Sequence, residues 1–260
     1  MAAFLLKLKT VDKHYCLKKN VDCSRNNPII KIIIGLLFFT CWTKLYAADF
    51  VVNNISYDVV SMSDLTCEVA PGTYPINDKV EIPATVTFKS RTFTVIGIGD
   101  RACKDKYIEG VTIPNGIQYI GKEAFEGNNL KKIVIPGSVT TIKASAFHWN
   151  NVSVVNMKTI YNPIELVLED SDEELVGNKD DIFQWLPFSD CNLEKIYIGR
   201  NINKQLIADQ IVTLTKEIEI GDKVKELTTD RLNNNMFKDF NSLEKVTKVS
   251  QVMAHLHNLT

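Results

Sequence analysis

Three hexapeptides superpose at intervals of 22 residues without a gap: Ile98-Gly99-Asp100-Arg101-Ala102-Cys103, Ile120-Gly121-Lys122-Glu123-Ala124-Phe125 and Ile142-Lys143-Ala144-Ser145-Ala146-Phe147. The stretch between them repeats too, Val111-Thr112-Ile113-Pro114 returning as Ile133-Val134-Ile135-Pro136 and, more weakly, as Val155-Asn156-Met157-Lys158. Its apolar positions give Ile108-x-x-Val111-x-Ile113, Leu130-x-x-Ile133-x-Ile135 and Val152-x-x-Val155-x-Met157. Each unit supplies one short strand, with alternate residues such as Val111 and Ile113 pointing inward and Thr112 outward. One unit cannot bury its apolar face alone, so the units must stack around a shared core of Ile, Val and Phe. Proline, which cannot donate to a ladder, stops each strand, and Gly99, Gly116, Gly121 and Gly137 serve the turns.

The frame returns downstream as Leu193-x-x-Ile196-x-Ile198, Ile218-x-Ile220 and Leu243-x-x-Val246. Phe188-Ser189-Asp190-Cys191-Asn192-Leu193 matches Phe125-Glu126-Gly127-Asn128-Asn129-Leu130, which puts Cys191 where Asn128 and Asn150 sit, and Cys103 falls on the column of Phe125 and Phe147. A period of about 22 with an L-x-x-L-x-L frame is the signature of a leucine-rich repeat. The expected fold is mainly β, a leucine-rich repeat solenoid over residues 98–260 with an insertion at 158–190. Upstream, Phe50, Val52, Ile55, Tyr57 and Val59 alternate around Asn53-Asn54, which predicts an N-terminal β-hairpin cap. Val80-Glu81-Ile82-Pro83 and Thr92-Phe93-Thr94-Val95 continue a strand-rich lead-in, so residues 49–97 form the capping region.

The cassette Ile-Pro-x-x-x-x-x-Ile-Gly-x-x-Ala-Phe, at Ile113 to Phe125 and again at Ile135 to Phe147 with Lys143 in place of Gly, resembles the BspA-type leucine-rich repeat of bacterial surface and secreted proteins. The resemblance covers roughly residues 80–250, and Ala48 to Tyr57 is similar to the hairpin that often follows the export signal in such proteins. It implies adhesion or ligand binding at the cell surface, without catalysis. Residues 158–190 break the period and the downstream copies lack the Ala-Phe pair, which leaves curvature and repeat number open.

Residues 1–48 differ from the rest, holding eight basic side chains and two acidic ones. Lys31 precedes the apolar run Ile32 to Trp42, and small residues follow at Ala47 and Ala48. That order of charge, apolar run and small residues is a secretory signal, here with an unusually long stretch before Lys31. The run is about half the ~20 residues a spanning helix needs, so cleavage near Ala47 or Ala48 is expected, and no membrane-spanning segment remains in the mature chain. A lipid on Cys41 is the rival reading, disfavoured by Phe39 and Thr40 before it. Residues 49–260 then carry a net charge of -7, a sign that disfavours nucleic acid. The mature Cys67, Cys103 and Cys191 are odd in number and lack metal or redox spacing, and read as small buried hydrophobes.

Candidate chemistry is sparse. Glu165, Glu169, Asp170, Asp172, Glu173, Glu174, Asp180 and Asp181 form an acidic stretch without the spacing of a calcium loop. His148, His255 and His257 have no partner at a spacing that suggests a nucleophile or ligand set, and Trp149 and Trp185 read as packing residues. Neither G-x-S-x-G, a phosphate loop nor H-E-x-x-H occurs. No enzyme and no cofactor is expected. The expected partner is a protein or a glycan, bound on the outward column Thr112, Val134, Asn156, Tyr197 and Glu219, with Tyr197 as its anchor or else as mere cover for neighbouring strands. A purely structural spacer or stalk is the alternative.

Overall fold

The computed structural model describes residues 48–72, 79–177, 185–202, 206, 215–225 and 245–248. The leader read over residues 1–48 lies outside them up to residue 47, as do Leu243 and the carboxyl-terminal histidines. The secondary structure of the described residues is strand and turn without helix. The first part holds β1 (Phe50–Val52), β2 (Ile55–Ser61), β3 (Thr66–Val69), β4 (Lys79–Glu81), β5 (Thr85–Phe88) and β6 (Arg91–Ile98). The cassettes supply β7 (Gly110–Thr112), β8 (Tyr119–Ile120), β9 (Lys132–Ile135) and β10 (Thr141–Ile142). Then come β11 (Val152–Val155), β12 (Lys158–Tyr161), β13 (Pro163–Leu168), β14 (Val176–Gly177), β15 (Asn192–Ile198), β16 (Glu217–Ile220) and β17 (Lys245–Lys248).

Three walls enclose one core. The first is parallel: β4 pairs with β7, and β9, β13, β15, β16 and β17 follow in that order. The second runs β1-β2-β3-β6-β8-β10-β14, with β5 on the side of β6. The third is made of the Ala-Phe turns, which bond across successive repeats from Cys103 N to Ala124 O, from Phe125 N to Ala146 O and from Phe147 N to Pro187 O. Arg101, Glu123 and Ser145 adopt left-handed φ of 59°, 56° and 58° at the same place in this turn.

Inside, Phe125, Phe147 and Phe188 are fully buried and stack in a file, with ring centroids 5.2 Å and 5.0 Å apart. A second file is polar. Asn128 Nδ2 donates to Cys103 O and Phe125 O, at 2.8 Å and 2.9 Å, and Asn150 Nδ2 donates to Phe125 O and Phe147 O at 2.8 Å. Cys191 Sγ donates to Phe147 O at 3.0 Å and so takes the place of the asparagine amide. Burial pushes its thiol up to about 12, which keeps it protonated and inert. Cys67 and Cys103 are also buried.

The β1–β2 hairpin turns at Asn53 and Asn54, both left-handed at φ 49° and 62°, the turn type whose twist suits two paired strands. Phe50 stacks on Tyr57 and Phe88 and meets Phe93 at a tilt, and β3 pairs antiparallel with β2 on one side and parallel with β6 on the other. Val80-Glu81-Ile82-Pro83, assigned from sequence to the lead-in, already contributes β4 to the first wall.

Two expectations need correction. Val152-x-x-Val155-x-Met157 is not a repeat strand: Val152–Val155 pairs antiparallel with Lys158–Tyr161, and Met157 and Asn156 form the tip, both with left-handed φ. The repeat strand of that turn of the solenoid is β13, whose Leu166 and Leu168 are buried and align with Ile133 and Ile135. The interruption therefore starts at 152, and part of the 158–190 segment read as an insertion is repeat. Asn162 N donates to Asn151 O at 2.9 Å and closes the chain below the excursion.

Candidate binding face

The outward side chains of the first wall fall into columns because parallel strands in register repeat the same residue at each rung. Val134, Val167, Tyr197 and Glu219 align across β9, β13, β15 and β16, and Thr112 stands opposite Glu81 on the β4–β7 pair. Asn156, expected in this column, is carried away on the hairpin tip, and Val167 occupies its rung.

The adjacent column reads Lys132, Glu165, Lys195 and Glu217, alternating in sign from strand to strand. Lys132 Nζ lies 2.8 Å from Glu165 Oε1, and Lys195 Nζ lies 3.2 Å from Glu217 Oε2. Lys131 pairs with Glu109 and Lys216 with Glu194. Exposed pairs of this kind stabilise by at most about 1 kcal/mol each. Their larger effect is to cancel charge along this column, which leaves little field above it.

Tyr197 is tethered. Its hydroxyl donates to Asp170 Oδ1 at 2.7 Å, and burial together with that carboxylate pushes the phenol up to about 12. Glycine makes the contact possible: a Cβ at Gly221 would lie 2.6 Å from the Tyr197 hydroxyl oxygen, and one at Gly199 would lie 2.4 Å from Asp170 Oδ1. The ring is thus held against the chain and is partly buried. In the sequence Asp170 belongs to an acidic stretch without calcium-loop spacing; its partner stands 27 residues away, and nothing local signals the pairing. Glu165 and Asp172 of the same acidic stretch are likewise engaged, by Lys132 and Lys223.

A second constellation lies on the turn wall. Arg101 Nε and Lys104 Nζ each lie 2.8 Å from Glu123 Oε2, Lys104 reaches Glu126 at 3.0 Å, and His148 Nε2 sits 3.1 Å from Asp190 Oδ2 beneath the stacked ring of Trp185. The carboxylates thus alternate with cations along the repeats. Burial alone would raise the pKa of Glu123, but hydrogen bonds from Arg101 and Lys104 outweigh it and hold the carboxyl down at about 2. For His148, burial opposes protonation, and the hydrogen bonds to Glu126 and Asp190 raise its pKa on balance. A carboxylate whose pKa is depressed on folding contributes stability above its unfolded value of about 4.5, and that stability is lost as the pH falls toward 2. Urea titrations between pH 5 and 2.5 are therefore expected to lose roughly 2 to 3 kcal/mol through this group, a loss that Glu123→Gln removes. An acid limb of the same depth in Glu123→Gln would assign it to other groups.

A model of the BspA type leucine rich repeat region matches residues 82–166 in six copies. Residues 82–166 carry BspA-type leucine-rich repeats. Among solved structures, a leucine-rich repeat protein from Bacteroides ovatus is 20% identical with a TM-score of 0.32, over 78% of this chain and 71% of that one. One from Bacteroides capillosus is 18% identical with a TM-score of 0.31, over 77% and 98%, and a leucine rich cell surface protein from Faecalibacterium prausnitzii is 12% identical with a TM-score of 0.23, over 81% and 97%. Comparison with curated proteins gives no match. The BspA-type region runs from the residue after β4 to the middle of β13, and so takes in the turns at 101–104, 123–126 and 145–148 with the Arg101, Lys104, Glu123 and Glu126 ion pairs.

Proposed function

We propose that this is an exported, surface-associated repeat protein that acts without catalysis and binds a protein or glycan on the outward face of its parallel sheet. The observation that carries the reading is the column Val134, Val167, Tyr197 and Glu219, an aliphatic, aromatic and acidic strip laid beside a column of cancelled charge. Solenoids use such extended faces for binding, and an aromatic ring already fixed by Asp170 loses little freedom on contact. Perturbed carboxyl and phenol groups, elsewhere a pointer to reactive sites, here sit in pairs that hold neighbouring repeats together. The family supports a surface role, since BspA-type repeats resemble those of surface and secreted bacterial proteins.

The test captures a partner from surface extracts and then compares two tyrosines of equal size. Tyr197→Ala is expected to weaken binding about tenfold or more, the range of an interface hot spot. Tyr119→Ala, on the second wall, is expected to leave affinity within twofold, once circular dichroism shows both variants folded. The reverse order would place the binding surface on the other side of the solenoid.

A further inference from the structure

The β11–β12 hairpin is a finger that its own fold leaves bare. Met157 at the tip is fully exposed, Val154 is 66% exposed, and Val155, Ile160 and Tyr161 are exposed as well. Cross-strand partners share a face, so Val152, Val154, Thr159 and Tyr161 lie on one side, and Ser153, Val155, Lys158 and Ile160 on the other. Both sides are thus rich in apolar groups, whereas a sheet wetted on one side shows a polar face there. The root is fastened by Asn151 Nδ2 to Pro163 O, Asn162 Nδ2 to Asn151 O and Asn192 Nδ2 to Tyr161 O, between 3.0 and 3.1 Å.

Charge narrows the occupant. Residues 149–162 contain no carboxylate and one cation, Lys158, in a mature chain that is acidic as a whole. The flanking carboxylates in sequence, Glu126 and Glu165, are taken up by Lys104 and Lys132. Trp149 at the root is half exposed with φ 57°, a conformation costly for a bulky residue, so the fold holds an indole out at this corner. Tyr161 stands at the root of the other strand. Apolar tip, adjoining lysine and aromatic collar are the groups that suit the successive layers of a bilayer surface.

We propose that the finger seats its tip in the headgroup–acyl boundary of a lipid bilayer, with Met157, Val154 and Val155 in the apolar layer, Lys158, level with Val155, stretching its long side chain back to the phosphates, and Trp149 and Tyr161 at the interface. A strand added by a protein would cover one edge and leave both apolar faces in water, while lipid surrounds all sides at once. Four residues per strand reach about 13 Å, enough for the 5 to 10 Å to which interfacial elements sink. The contact does not depend on what the sheet face binds.

The full chain is prepared with p-benzoylphenylalanine in place of Met157 or, as reference, in place of Glu219, and irradiated with phosphatidylcholine vesicles. Adducts of phospholipid mass are expected at position 157 at least ten times as often as at 219, and Val155→Asp is expected to lower them tenfold with no change in melting temperature. The apolar run near the amino terminus could bring the chain to a vesicle but would not set residue 157 in lipid. Equal yields at the two positions, or none at 157, overturn the proposal. So does a protein adduct at 157 in producing cells without a lipid adduct, which would give the finger to a protein cleft.

Discussion

Phe147→Ala is expected to destabilise the folded chain by about 3 to 5 kcal/mol, the usual cost of emptying a buried phenylalanine site. Phe147 is the middle ring of the file, stacked on Phe125 at 5.2 Å and on Phe188 at 5.0 Å, and its side chain is fully buried. Truncation removes both stacked contacts, each of which adds about 0.5 to 1.5 kcal/mol to burial. It also opens a cavity between two repeats that touch only their neighbours, so the segments on either side lose their coupling. Phe125→Ala, with one ring neighbour, is expected to cost less. Urea titration followed by circular dichroism decides the point, and a loss below about 1 kcal/mol for Phe147→Ala would show that the file is not tightly packed. A broadened or two-step transition would report the uncoupling directly.

The register of that file is legible in the sequence because it is written in side chains that must be small or aromatic at fixed intervals. Ala124-Phe125 and Ala146-Phe147 announce it, and Phe188 with Cys191 can be placed on the same frame although the intervening spacing differs. The hairpin is not legible in the same way. Val152, Val154 and Val155 give the alternation of any strand, and Val152-x-x-Val155-x-Met157 fits the repeat frame by accident. What distinguishes it is antiparallel pairing within ten residues and backbone closure between Asn151 and Asn162, which are matters of three dimensions. The true strand hides because Ile164, Leu166 and Leu168 are spaced two apart, with the bulge that restores the register carried by its neighbour β15.

The outward column is half readable for a related reason. Alternation fixes which residues of a strand face outward, and Val134, Tyr197 and Glu219 follow from it. Alternation does not say where a long side chain lies once outside. Tyr197 folds toward Asp170 across two glycines, and only the assembled sheet brings Gly199, Gly221 and Asp170 together.

Arg200 is the residue whose role the sequence hides most completely, and Arg200→Met is expected to destabilise by about 3 to 5 kcal/mol, the cost of leaving two or more buried carbonyls without donors. It follows Gly199 just past β15, yet its guanidinium is fully buried and reaches back to the turn after β9. Nη1 donates to Val139 O at 2.6 Å and Gly137 O at 3.1 Å, and Nη2 to Pro136 O at 2.7 Å and Ile135 O at 3.4 Å. In the preceding repeat the corresponding carbonyl, Ile117 O, is met by Ser138 Oγ from the next turn at 2.8 Å. In the next repeat the serine in register is Ser171, whose Oγ accepts from Glu173 N at 3.1 Å, and the arginine fork supplies the donors to residues 135–139 from one strand further on. Burial depresses the guanidinium to about 10, against the weaker pull of Glu169, which still leaves it charged at neutral pH. Two terms compete: removing the cation relieves its desolvation, while four carbonyls lose their donors at roughly 1 to 3 kcal/mol for each that stays buried and unpaired. The second wins if the turn cannot open to water. Arg200→Lys, a point charge without the planar fork, is expected to recover less than half of the loss. A methionine variant as stable as the parent in urea would show that the turn rehydrates freely and that Arg200 does not staple the interrupted repeat.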